Sequence, residues 1–110
     1  MTRRVQKVAE LLRQQLAIMV KETLPEDLGI VTVMDVQVST DIKNAMVYIS
    51  CLDEACQDEV FKRLTDKTKD FQHILGRQLQ MRYTPKLTFK IDRGLEKINR
   101  VEKILENIDK

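Results

Sequence analysis

The sequence predicts an α+β fold: a three-stranded mixed sheet with helices packed on one face, plus a C-terminal helix. Three observations carry this. Residues 82–92 alternate with a period of two, Leu87, Phe89 and Ile91 against Lys86, Thr88, Lys90 and Asp92, the mark of a half-buried strand. Two further runs rich in β-branched residues lie so close together that they should pair as an antiparallel hairpin. Apolar residues at helical spacing occupy the first fifth of the chain, its middle and its end. The resulting order is helix, strand, strand, long or broken helix, strand, helix. A strand–helix–strand crossover of this kind favours a mixed sheet with its helices stacked on one side.

Each element follows from its residues. Over 3–23, Val5, Val8, Ala9, Leu12, Leu16 and Met19 line one helix face, and Arg3, Lys7, Glu10, Gln14 and Lys21 the other. Pro25 and Gly29 end that helix and begin a turn. Within 30–39, Met34, Val36 and Val38 alternate with Asp35, Gln37 and Ser39; residues 40–44 supply turn chemistry, and 45–52 form the second strand. Asp53 suits the cap of the next helix and Glu54 its first turn. Val60, Leu64, Phe71 and Leu75 mark the buried face there, with Ile74 and Leu79 continuing the apolar spacing. The turn around Lys67 and Thr68 lacks an apolar residue, and Asp70 offers a second cap. One helix with a weak point and two helices both fit. Pro85, which has no N–H to donate, suits the start of the last strand. Leu95, Ile98, Val101, Leu105 and Ile108 then mark the C-terminal helix, expected to pack on the domain near Leu11 and Ile18, with self-association through the same stripe as the competing arrangement.

Composition narrows the function classes. The 110 residues fit one domain, with a net charge of +2 and pI near 8.6, only mildly basic, so any case for nucleic acid rests on where the charges cluster. No apolar run approaches a membrane span, and the charged N-terminus lacks a signal-peptide core. Cys51 and Cys56 are too few for a disulfide framework and have no histidines nearby to suggest zinc, which reads as a reduced, cytoplasmic protein. His73 is the single histidine and falls on a polar helix face, so a Ser-His or Cys-His relay would depend on it alone. Gly76 stands alone inside a helical pattern, and no glycine-rich loop cradles phosphate. Neither catalysis nor a cofactor or metal is expected.

The basic residues do cluster. Lys62, Lys69, His73, Gln80 and, at its margin, Arg77 share the helix face opposite the core stripe, while Lys86 and Lys90 occupy the outer face of the last strand, just after Arg82. Such stripes are usually solvated surface; they also suit a phosphate backbone. Aromatics make up 5% of the chain and Tyr48 is the one candidate stacker, so backbone and shape recognition is expected over reading of unpaired bases.

Order and residues together resemble the ribosome-binding factor A family, bacterial ribosome assembly factors with a type II KH-like fold. The resemblance runs from about residue 3 to 92. It rests on Arg4-Val5 in the first helix, Val36-x-Val38-Ser39-x-Asp41 ending the first strand, and Ala45-x-Val47-Tyr48-Ile49-Ser50 in the second. Leu79-x-Met81-Arg82 at the close of the long helix and Pro85-x-Leu87-Thr88-Phe89-x-x-Asp92 complete it. The chain departs from the family at Thr68-Lys69-Asp70, where an Ala-x-Gly interruption is usual. It departs again at Leu24-Pro25-Glu26-Asp27, acidic where an arginine is expected, so no phosphate contact is carried over there. The resemblance implies binding to the small ribosomal subunit and its rRNA during late maturation and pre-rRNA processing, by occupancy and without catalysis. Arg4 and Arg82 fall at family positions; with the cations of the helix faces and the last strand they make an expected RNA-binding set of Arg3, Arg4, Lys7, Lys62, Lys69, His73, Arg77, Arg82, Lys86 and Lys90. The chain is expected to divide into a KH-like domain (1–94) and a C-terminal amphipathic helix (95–110) that lies beyond the resemblance. No membrane or small-molecule partner is implied, and the free protein is expected to be a monomer. The competing reading is a protein–protein adaptor whose basic faces are merely solvated.

Overall fold

The computed structural model describes residues 3–92; the C-terminal helix expected over 95–110 and the domain boundary at 94 lie outside the described residues. Helix α1 (Arg3–Thr23) leads through a short 3₁₀ turn (Glu26–Leu28) into strands β1 (Val31–Val38) and β2 (Asn44–Cys51). A second 3₁₀ turn (Glu54–Cys56), helices α2 (Gln57–Asp66) and α3 (Thr68–Gln78), and strand β3 (Lys86–Ile91) follow. The sheet order is β1-β2-β3, with β1 antiparallel to β2 and β3 parallel to it. This is the expected hairpin followed by a helical crossover.

The core lies between the sheet and the helices. Val5, Leu12, Leu16 and Met19 are buried on α1 as their spacing demands, joined by Val20. Val60, Leu64, Phe71 and Leu75 close over the middle of the sheet, and Phe71 meets Phe89 edge-on with ring centroids 5.8 Å apart. Val47 and Ile49 of the central strand are fully covered. Pro85 is buried immediately before β3, where the missing N–H costs no ladder bond. Asp53 caps the second 3₁₀ turn as expected, its carboxylate accepting from the Ala55 amide at 3.0 Å. Gly29, with φ of 84°, makes the turn into β1 in a conformation that disfavours side chains.

Three local readings change, and one open alternative is decided. The β1 register shifts between Val33 and Asp35, so Met34 is an extra residue in a bulge and turns outward, and Val33 takes its place in the core. A strict period of two could not show this. The long helix is two helices, broken at Lys67, whose amide turns back to the Leu64 and Thr65 carbonyls. The break needs no glycine; the Thr68 hydroxyl bonds the Leu64 carbonyl at 3.3 Å, a side-chain bond that competes with the regular ladder. Asp70 does not cap α3: Lys67 holds that position with no side-chain bond, and its ammonium lies 3.9 Å from the Asp70 carboxylate. Ile74 stands on the lip of the apolar stripe, 39% exposed, rather than in the core.

Candidate nucleic-acid interface

All ten candidate residues are exposed, and the fold distributes them over distinct surfaces. Lys69, His73 and Arg77 follow one another at intervals of four along the solvent face of α3, and Lys62 is exposed on α2, across the break at Lys67. Lys86 and Lys90 project from the opposite side of the molecule. Leu87 and Phe89 turn inward to the helices, which puts both lysines on the open face of the sheet. There Lys90 is the cross-strand neighbour of Tyr48. Arg3 and Lys7 lie on the exposed side of α1. A flat ligand cannot cover α3 and the open sheet face together.

Arg82 is placed by a device the sequence pattern hides. Helix α3 stops at Gln78, Gln80 takes a left-handed φ of 52°, and the Met81 amide reaches back to the Gly76 carbonyl at 3.0 Å. This six-to-one bond is a Schellman stop with glutamine where glycine is usual. Arg82 therefore lies beyond the helix, not on its last turn, and is exposed with its guanidinium 5.5 Å from the centre of the Tyr83 ring.

The same stop brings Arg82 to Arg4. Both line an open depression of about 770 Å³ between the start of α1, the β1–β2 turn and the segment after α3. Lys43 joins them there, a residue that motif and face arguments both passed over because it belongs to a turn. The half-buried apolar residues Val8, Ile42 and Met81 form its floor, and Tyr83, 77% exposed, stands on its rim. Tyr83, not the half-buried Tyr48 with its hydroxyl 3.5 Å from Gln37, is the more available ring.

The β1–β2 turn is held rigid. The Ser39 amide bonds the Asn44 carbonyl at 2.9 Å, and the Ser39 hydroxyl accepts from the Asn44 amide at 3.0 Å. The same hydroxyl donates to Asp41 Oδ1 at 2.6 Å, which also accepts from the Lys43 amide at 3.1 Å. These bonds, the Ser39 hydroxyl first, hold the Asp41 carboxyl below its usual range. Within this turn Ile42 adopts a φ of 60°, rare for a β-branched residue. Gln80 and Ile42, the two non-glycine residues with positive φ among those described, both line the depression.

Ion pairs among the described residues join Arg13 to Glu10, Arg63 to Glu59 and Lys67 to Asp70, and none of the ten candidates takes part in these. The cysteines lie apart from all this. Burial pushes the Cys51 thiol up, and desolvation with the Asp53 carboxylate does the same for Cys56, the reverse of what a thiolate nucleophile requires. Among the described residues, no helix is long and apolar enough to cross a membrane.

Element order, mixed sheet and stacked helix pair define a small KH-like α+β domain. It shares its fold with the crystal structure of ribosome-binding factor A from Thermus thermophilus, at a TM-score of 0.71 and 23% identity over 79% of this chain and 93% of that one. A Thermotoga maritima protein described as a putative ribosome-binding factor A aligns with a TM-score of 0.60 and 25% identity, covering 82% and 84%. The chain belongs to the ribosome-binding factor A family, whose model matches residues 4–105 and so extends past residue 92, where the motif resemblance stops. Ribosome-binding factor A of Chlorobium luteolum is 36% identical over 100% of this chain and 95% of its own length. That of Bdellovibrio bacteriovorus is 43% identical over 74% of this chain, which spans only 61% of that longer relative. A further match, at 25% identity and a TM-score of 0.65, covers 73% of this chain and 86% of a Thermus thermophilus ribosome-binding factor A model fitted into a map of a 30S complex.

Proposed function

We propose that this protein is a ribosome assembly factor that binds the small ribosomal subunit and its rRNA during late maturation and pre-rRNA processing. It acts by occupancy: it docks through cations, holds an immature RNA conformation and leaves as the subunit matures, with no covalent step. It works in the cytoplasm as a monomer when free. The observation that carries the reading is the family match across residues 4–105. The Thermus relative fitted into a 30S complex supports the small subunit as the target. The exposed cations supply the chemistry, since each phosphate neutralised releases condensed counterions.

The RNA-facing set comprises Arg3, Arg4, Lys7, Lys62, Lys69, His73, Arg77, Arg82, Lys86 and Lys90, to which the geometry of the depression adds Lys43. Because these residues occupy more than one face, the proposed mode is insertion of the domain among rRNA segments rather than docking on a single helix. Co-sedimentation with ribosomal particles on a sucrose gradient tests the reading. Association with small subunits that weakens steeply with salt is expected, and a short unstructured oligonucleotide should bind less tightly. Equal or tighter binding of the oligonucleotide overturns it. Salt-insensitive association would instead indicate a protein–protein adaptor.

A further inference from the structure

We infer that the depression between Arg4, Lys43 and Arg82 is a subsite for a single nucleotide extruded from structured RNA, its base stacked on Tyr83 and its flanking phosphates on the three cations. The inference rests on the proposed function and specifies how one part of the surface engages its ligand. Size comes first: about 770 Å³ lies within the roughly 300–1,000 Å³ of small-ligand clefts, far more than one phosphate needs. The chemistry is divided as a nucleotide's is. Val8, Ile42 and Met81 offer an apolar floor, while three cations face one carboxylate, Asp41, whose Oδ1 is already engaged by Ser39 and Lys43.

Tyr83 leaves 77% of its surface open although tyrosine gains from burying its ring, and the Arg82 guanidinium beside it adds a cationic partner for both ring and phosphate. Base–aromatic stacking tolerates any base, so the subsite selects for an unpaired nucleotide and not for its identity. The site is also preorganised. Lys43 sits in a turn held by five hydrogen bonds around Ser39 and Asp41, and Arg82 and Tyr83 follow a hydrogen-bonded helix stop. Both segments hold a non-glycine residue at positive φ, a conformational cost that the surrounding structure sustains at this one place.

The chain contains no tryptophan, so Tyr83→Trp introduces a single reporter. Its emission is titrated with two RNA hairpins that differ only by one bulged adenine. Quenching by the bulged hairpin with about tenfold tighter binding than to the fully paired one is expected, the scale of one base stack. In a parallel assay Tyr83→Ala should lose that preference and Tyr83→Phe should keep it, with melting temperatures unchanged because the ring is exposed. Lys43→Ala and Arg82→Ala should each lower the salt slope by about one unit. Equal affinity for the two hairpins, or a preference that survives Tyr83→Ala, overturns the subsite. Subunit co-sedimentation of the unaltered protein is scored separately. If it persists without hairpin discrimination, the subsite falls and the assembly-factor reading stands. If it is absent, that reading falls and hairpin discrimination alone decides the subsite.

Discussion

Gln80 shows how a single residue can hold an awkward conformation for the sake of its neighbours. It occupies the left-handed position of the stop after α3, where a side chain costs about 1 kcal/mol relative to glycine. Gln80→Gly is therefore expected to stabilise the protein by about 0.5–1 kcal/mol, read as a higher urea midpoint at unchanged m-value. Ser39 is a second such case. Its hydroxyl is the largest influence holding the Asp41 carboxyl low, so Ser39→Ala should move that carboxyl's titration toward its ordinary range, as followed by NMR. A carboxyl depressed in the folded state stabilises above its unfolded pKa, and that contribution is lost as pH falls through the folded value. Ser39→Ala should thus narrow the stability difference between neutral and acidic pH. A titration of Asp41 unchanged by the substitution would contradict this account.

At the scale of elements, the helix pair and β3 share one packing unit. Phe71 and Phe89 form its centre, with Leu64 and Leu75 fully buried on either side of the break at Lys67. Phe71→Ala removes the edge-to-face pairing and leaves a cavity between helix and strand, and should cost about 3–5 kcal/mol in chemical denaturation. A loss below about 1 kcal/mol would mean that the helices do not depend on this pairing. Helix α1 raises a different question. Leu11 and Ile18, one heptad apart, are 36% and 53% exposed, an apolar seam on the described domain. Truncation after Gly94 removes the apolar stripe of residues 95–108 and is expected to lower the melting temperature while subunit co-sedimentation persists. An unchanged melting temperature at the same oligomeric state would show that the segment adds no stability through that seam.

For the whole molecule, the arrangement of charge matters more than its sum, because +2 is too little to drive RNA binding unaided. Combining Arg4→Ala, Lys69→Ala, Arg77→Ala and Arg82→Ala removes cations from both the depression and the α3 stripe. All four are exposed, so the variant should fold with a near-native melting temperature. Its affinity for subunits should fall, and the salt slope should drop by about one unit for each phosphate that is no longer neutralised. A folded variant that binds subunits unchanged would remove these four residues from the interface.

Much of this architecture was legible along the chain because periodicity is a local property. A helix over 3–23, the hairpin, the core faces of Val60, Leu64, Phe71 and Leu75, and the outward lysines of β3 follow from spacings within single elements. The family resemblance was likewise carried by short patterns in a fixed order. The bulge at Met34 was invisible because one extra residue leaves the composition of a strand unchanged and shows only against its partner. The stop at Gln80 depends on where backbone amides find acceptors, which an apolar stripe does not encode, and the gap in that stripe at Lys67 fitted one helix or two until the amide bonds decided it. The depression is the clearest instance. Arg4, Lys43 and Arg82 come from a helix start, a hairpin turn and a post-helical loop, far apart along the chain. Local sequence set their chemistry; only the packing of α1 and α3 on the sheet set their proximity, because distance between elements is decided by the core they share.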